Sequence, residues 1–168
     1  MIVEGEIQMV HKLRIICIIF LISTLLMITG CASLGKSFEV VEAVPPDKAL
    51  IYFYRPGAFV GGGAYYDIIV NDKLVCTMYN GGYYPYFVDP GKINITASTE
   101  VTRELTFVAK TNQIYYVKGG ITMGILVGRP SLEMVSSDVA REEIILTDRI
   151  PDITAEDLKL RKQKDEEF

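Results

Sequence analysis

Gly30-Cys31-Ala32-Ser33-Leu34-Gly35-Lys36-Ser37 spells GxxxxGK[ST], the spacing in which backbone amides and a lysine cradle nucleotide phosphates. That chemistry needs a strand before the loop and a helix opening directly after it, so that the helix amino terminus faces the phosphates. Here the preceding apolar run is far longer than a strand, and the following FEVVEAVPP is β-branched and ends at Pro45-Pro46, so no helix opens there. Nucleotide binding is set aside. Cys31 has a chemistry of its own, because a deprotonated thiol is the strongest nucleophile among these side chains. Asp67, Glu104 and Glu133 could cleave a glycoside if two of them converged. Tyrosine is the remaining candidate: there are ten, paired at Tyr65-Tyr66, Tyr83-Tyr84 and Tyr115-Tyr116, and each offers a flat apolar ring with a polar tip. The one histidine is His11, so the chain beyond residue 30 cannot assemble a Ser–His–Asp or Cys–His site or supply imidazole to a metal. No catalytic residue, cofactor or metal is assigned.

The segment that carries Cys31 decides its role. Ile15 to Thr29 holds no charge, and Lys12 and Arg14 stand just before it, the charge order of an export signal. The run is too short for a spanning helix of about 20 residues and fits a signal-peptide core. MIVEGEIQ, ahead of it, has two glutamates and no base, which makes Met9 the better start. Ile28-Thr29-Gly30-Cys31 then resembles the lipobox of bacterial lipoproteins, with small residues before the cysteine that admit the chain to a peptidase. The resemblance implies cleavage between Gly30 and Cys31, acylation of Cys31, and anchoring in a lipid bilayer. Ala32, and not Asp, follows the cysteine, which by the same resemblance directs the protein to the outer membrane, facing the periplasm. The alternative is an uncleaved amino-terminal anchor with the same outer domain.

With 49% hydrophobic and 23% charged residues the remainder has the composition of one folded domain, and 17 basic against 21 acidic residues give no surface for a nucleic-acid backbone. Cys17 leaves with the signal, so Cys76 has no thiol partner once Cys31 is acylated. Ile93-Asn94-Ile95-Thr96-Ala97-Ser98 alternates with the period of a strand. Further strands are predicted over 49–55, 65–70, 74–78, 83–88, 103–108, 114–118, 121–127 and 132–135. Asn71-Asp72 suits a two-residue hairpin turn, and Asp89-Pro90-Gly91-Lys92 suits a type II turn. Short strands at this spacing predict an all-β fold, an antiparallel β-sandwich over residues 48–135. A tether covers 31–47. A carboxy-terminal extension, 136–168, has two short helical segments: one is capped by Ser137 or Asp138, and the other opens with the capping box Thr154–Asp157 and frays from Lys162. The signal peptide, 1–30, is the one remaining helix.

Tyr52-Phe53-Tyr54-Arg55-Pro56, Asp72-Lys73, Asn80-Gly81-Gly82-Tyr83, Pro90-Gly91-Lys92 and Tyr115-Tyr116-Val117 occur in an order that resembles the bacterial lipoproteins grouped as domain of unknown function 2846, over residues 48 to 135. The PGK turn also resembles turns of immunoglobulin-like surface modules, which implies an immunoglobulin-like sandwich. Neither resemblance brings a catalytic signature.

The expected function is therefore a non-catalytic binding or structural module on the bacterial envelope, whose partner is an unidentified envelope protein or glycan. Tyr65, Tyr66, Tyr83, Tyr84, Tyr115 and Tyr116 form the candidate binding surface, against the competing reading that inward rings fill the core. The alternatives are an envelope carbohydrate hydrolase using a carboxylate pair, and self-assembly through an exposed sheet edge. Cys76 is read as a small core residue, Gly61-Gly62-Gly63 as a flexible loop, and Arg55 as a strand-end residue tied to a carboxylate or a backbone carbonyl.

Overall fold

The computed structural model describes Arg14 and residues 38–41, 43–99, 101–122 and 128–166. The chain divides into two compact units, Met1–Leu34 and Gly35–Phe168. The signal run, Gly30, Cys31, the phosphate-loop pattern and the tether as far as Ser37 lie outside the described residues.

Where the sequence alternates, strands form. β1 (Ala49–Arg55), β2 (Tyr66–Val70), β3 (Lys73–Met78), β4 (Gly82–Val88), β5 (Gly91–Ser98), β6 (Thr102–Ala109), β7 (Ile114–Thr122) and β8 (Arg129–Val135) precede helix α1 (Ser137–Ile144), the two-residue β9 (Asp148–Arg149) and helix α2 (Ala155–Glu166). They make two sheets, ordered β8-β7-β1-β4-β9 and β3-β2-β5-β6. Ile51 and Phe53 of the first sheet meet Ile68, Ile93, Ile95 and Ala97 of the second in one core, which is the expected sandwich. The four-stranded sheet is wholly antiparallel, whereas the five-stranded sheet is mixed: β7 runs parallel to β1, and β9 parallel to β4. β9 brings the carboxy-terminal extension into that sheet.

Turn chemistry sets the hairpins. Asn71 and Asp72 take φ of 46° and 64°, as a two-residue link between right-twisted strands demands. The Asn71 side chain also accepts the Asn94 N–H at 2.8 Å, which ties the turn to β5.

Several expectations need correction. Strict alternation from Cys76 puts Leu74 on the core face, but a bulge opposite Ile68 and Ile69 puts Val75 there instead, because the extra residue re-aims its neighbours. Gly119-Gly120 does not divide two strands: β7 passes through it to Thr122, and 123–127 lie outside the described residues. α1 starts at Ser137 with Ser136 as its cap, and no side-chain capping bond forms there. The Thr154 box does close, with the Thr154 N–H donating to Asp157 Oδ2 at 2.8 Å and the Asp157 N–H to Thr154 Oγ1 at 3.2 Å. Its helix continues past Lys162 to Glu166, since AEDLKLRKQKDE contains neither Gly, Pro nor a β-branched residue to stop it.

Every residue of β1 is buried, because its strand is covered on both faces. Beyond the inter-sheet core lies a second apolar layer, in which Leu50, Tyr52, Tyr54, Tyr83 and Tyr116 pack under α1 and under Phe38, Val41 and Val44. Tyr83 Oη accepts the Glu39 N–H at 3.0 Å and Tyr52 Oη the Val41 N–H at 2.8 Å, so residues 38–41 lie strapped across the outer face of the sheet.

Candidate functional site

The end of the sandwich where β1 finishes is built around a buried cation. Arg55 follows Ile51 and Phe53 on the inward face and is 2% exposed. Its Nη1 donates to the Ala64 carbonyl at 2.7 Å and its Nη2 to the Gly61 carbonyl at 2.8 Å, while the guanidinium sits 5.9 Å from the Tyr66 ring centroid. Burial pulls its pKa below the usual arginine value. Of the two partners the sequence allowed, the structure uses the backbone carbonyls; no carboxylate among the described residues pairs with it.

These bonds hold the β1–β2 loop, residues 56–65, despite its glycines. Asn80, in the β3–β4 turn, grips the same loop by accepting the Ala58 N–H at 2.9 Å and donating to the Ala58 carbonyl at 3.0 Å. The loop that its glycines mark as flexible is thus fastened at three of its residues. It carries Phe59 fully exposed, beside Val60 and Tyr65, and Tyr65 stands 5.7 Å from the Tyr79 ring. A cleft of about 200 Å³ opens behind it, with Arg55, Val60, Lys118 and Ile121 among its walls.

The six candidate tyrosines do not form one surface. Tyr66, Tyr83 and Tyr116 are buried, Tyr84 and Tyr115 are half-buried, and only Tyr65 is well exposed. Alternation does send neighbours to opposite faces, but both faces of the five-stranded sheet are covered around β1, so Tyr83 and Tyr116 enter the outer layer while Tyr84 and Tyr115 pack against the inter-sheet core. Tyr116 stacks on Tyr52 at 5.5 Å, and Phe38 meets Tyr83 edge-on at 5.0 Å. Phe59 was missed, since a lone aromatic among glycines gives no periodic signal.

Glu143 was also missed. It reaches from α1 to accept from Tyr54 Oη at 2.7 Å and from Lys118 Nζ, joining the helix to β1 and β7. The Lys118 ammonium and the Tyr54 hydroxyl hold its carboxyl below the usual carboxylate range, against a smaller opposing effect of burial. With the folded value below the unfolded one, this contribution is complete above the ordinary Glu pKa of about 4.3 and disappears as pH falls through the depressed value. Glu143→Gln is expected to flatten the acid limb of a melting-temperature profile measured between pH 7 and 3. A variant with the wild-type slope would show the network to be inert.

Other chemistry is dispersed. Cys76 is fully buried and desolvation raises its pKa, so a thiol reagent should label it only through unfolding, at least about a thousandfold more slowly than in denaturant. Rapid native labelling would contradict this burial. Asp67 accepts from Thr77 Oγ1 at 2.7 Å on the four-stranded sheet, which Glu104 shares, whereas Glu133 belongs to the five-stranded sheet. Among the described residues no group of three His, Cys, Asp or Glu side chains could hold a metal ion.

The family described as protein of unknown function (DUF2846) matches over residues 45–129, about half the chain and most of both sheets. No curated protein and no solved structure matches significantly.

Proposed function

The chain belongs to the DUF2846 family, and from that premise we propose that it is an exported bacterial lipoprotein whose β-sandwich works by contact and not by catalysis. Ile28-Thr29-Gly30-Cys31, following an uncharged run with Lys12 and Arg14 ahead of it, supports processing at Cys31. Acyl chains on that thiol would hold the protein stably, because two or more chains suffice where one is marginal. Ala32 after the cysteine supports the outer membrane, with the sandwich in the periplasm.

The observation that carries the contact reading is Phe59. A fully exposed aromatic on a loop fastened by Arg55 and Asn80 loses little conformational entropy when it is covered, which suits an anchor residue. Mass spectrometry of protein extracted from membranes is expected to find a chain beginning at Cys31 with its thiol acylated. Cys31→Ser should accumulate as a longer precursor. An unmodified thiol on a full-length wild-type chain would overturn the assignment.

A further inference from the structure

We infer that the apolar tip formed by the β1–β2 loop and the β3–β4 turn lies in the membrane interface beside the lipid anchor. The inference rests on the lipoprotein reading and adds an orientation to it. Phe38, the first residue of the described strap, packs at 5.0 Å on Tyr83, and Tyr83 pairs with Tyr54, one residue before the end of β1. The chain therefore leaves the sandwich at the same end as the tip.

Only residues 32–37 separate Cys31 from Phe38, and fully extended they span at most about 25 Å. β1 has seven residues, roughly 23 Å at a strand's rise. To present the opposite end to the bilayer, the tether would have to run taut along the whole sheet. With any slack, the tether leaves the tip within reach of the anchor and the opposite end out of it.

Arg103, Arg129, Asp148 and Arg149 also belong to the tip's end of the sheets, but the two connections that form the tip differ from those at the opposite end. The connections opposite the tip carry Asp47, Lys48, Asp72, Lys73, Asp89, Lys92 and Lys110, groups that resist leaving water. PGAFVGGGAYY, residues 56–66, and YNGGYY, residues 79–84, contain no charge. Phe59, Val60, Tyr65 and Tyr79 stand exposed on them, a phenylalanine with two tyrosines being the composition of a bilayer interface. Leu146, 82% exposed, joins the same end, because the nearby Asp148 N–H donates to the Gly81 carbonyl at 2.9 Å. The occupant is a lipid surface.

The chain has no tryptophan, so one introduced indole reports alone. Full-length Phe59→Trp and Val108→Trp, the latter exposed near the charged end, would be expressed with processing, extracted, and reconstituted into phosphatidylethanolamine/phosphatidylglycerol vesicles with or without brominated acyl chains. Phe59→Trp emission should shift to the blue and fall at least twofold with brominated lipid, while Val108→Trp should be unchanged. Equal behaviour of the two indoles would overturn the inference. So would a blue shift without bromine quenching, which marks a second copy or another protein on the tip. The mass of the Cys31 peptide, taken from the same preparation, separates the failures: an acylated thiol with no quenching sinks the orientation alone, and a free thiol sinks the anchor beneath it.

Discussion

Gly119→Ala is expected to lower the stability of the sandwich by about 3 kcal/mol, the upper end of what overpacking costs, and the melting temperature by roughly 10 °C. A Cβ on Gly119 would lie 2.1 Å from Tyr66 Oη and 3.3 Å from Tyr66 Cζ. Tyr66 is 2% exposed and its ring lies under Arg55, so it has nowhere to retreat. Its hydroxyl, moreover, has no hydrogen-bond partner among the described residues. Removing an unsatisfied buried hydroxyl should not destabilise, and Tyr66→Phe is expected to gain about 1 kcal/mol. In that background the added methyl meets only the ring edge, so the double variant should return close to wild type, with a coupling of about 2 kcal/mol. Gly120→Ala is the control: its Cβ would meet Ser131 Oγ at 2.8 Å, the end of a side chain that can rotate, and the cost should stay under about 1 kcal/mol. Urea denaturation of the four variants reads the cycle. Simple additivity would mean that Gly119 is constrained by something other than this hydroxyl.

The Gly119 requirement also shows where sequence reasoning stops. Asn71-Asp72 and the alternating Ile93, Ile95 and Ala97 were legible because positive φ and a two-residue period are local demands. Gly119-Gly120 looked like a break because the ring that needs its space arrives from β2, far away in the sequence. The tyrosine pairs failed for a related reason. Alternation assigns neighbours to opposite faces, but only tertiary packing decides whether a face is wet, and here Phe38 and α1 cover the second one. Loop 56–65 has the composition of a flexible link, and what fastens it is an arginine before the loop and an asparagine from a separate turn. The sheet order was likewise beyond reach: nothing local in β7 announces that it lies parallel to β1.

Arg55→Ala should cost about 3 kcal/mol and free the 56–65 loop. Two opposing effects set that figure. The substitution relieves a buried charge that pairs with no carboxylate among the described residues, which favours the variant. Against this, it removes two bonds from a charged donor, each worth about 1.5 to 3 kcal/mol, and leaves a void where the side chain lay over Tyr66. Arg55→Met separates the contributions by keeping most of the volume and discarding the charge. It is expected to recover about half of the stability, since the Gly61 and Ala64 carbonyls can turn to water only if the loop loosens. Both variants should become sensitive to limited proteolysis between Gly57 and Ala64 under conditions in which the wild type resists. The same loosening should raise the entropic cost of covering Phe59, so surface binding should weaken in Arg55→Met even though no exposed residue has changed. A protease-resistant loop in both variants would mean that Asn80 holds it alone.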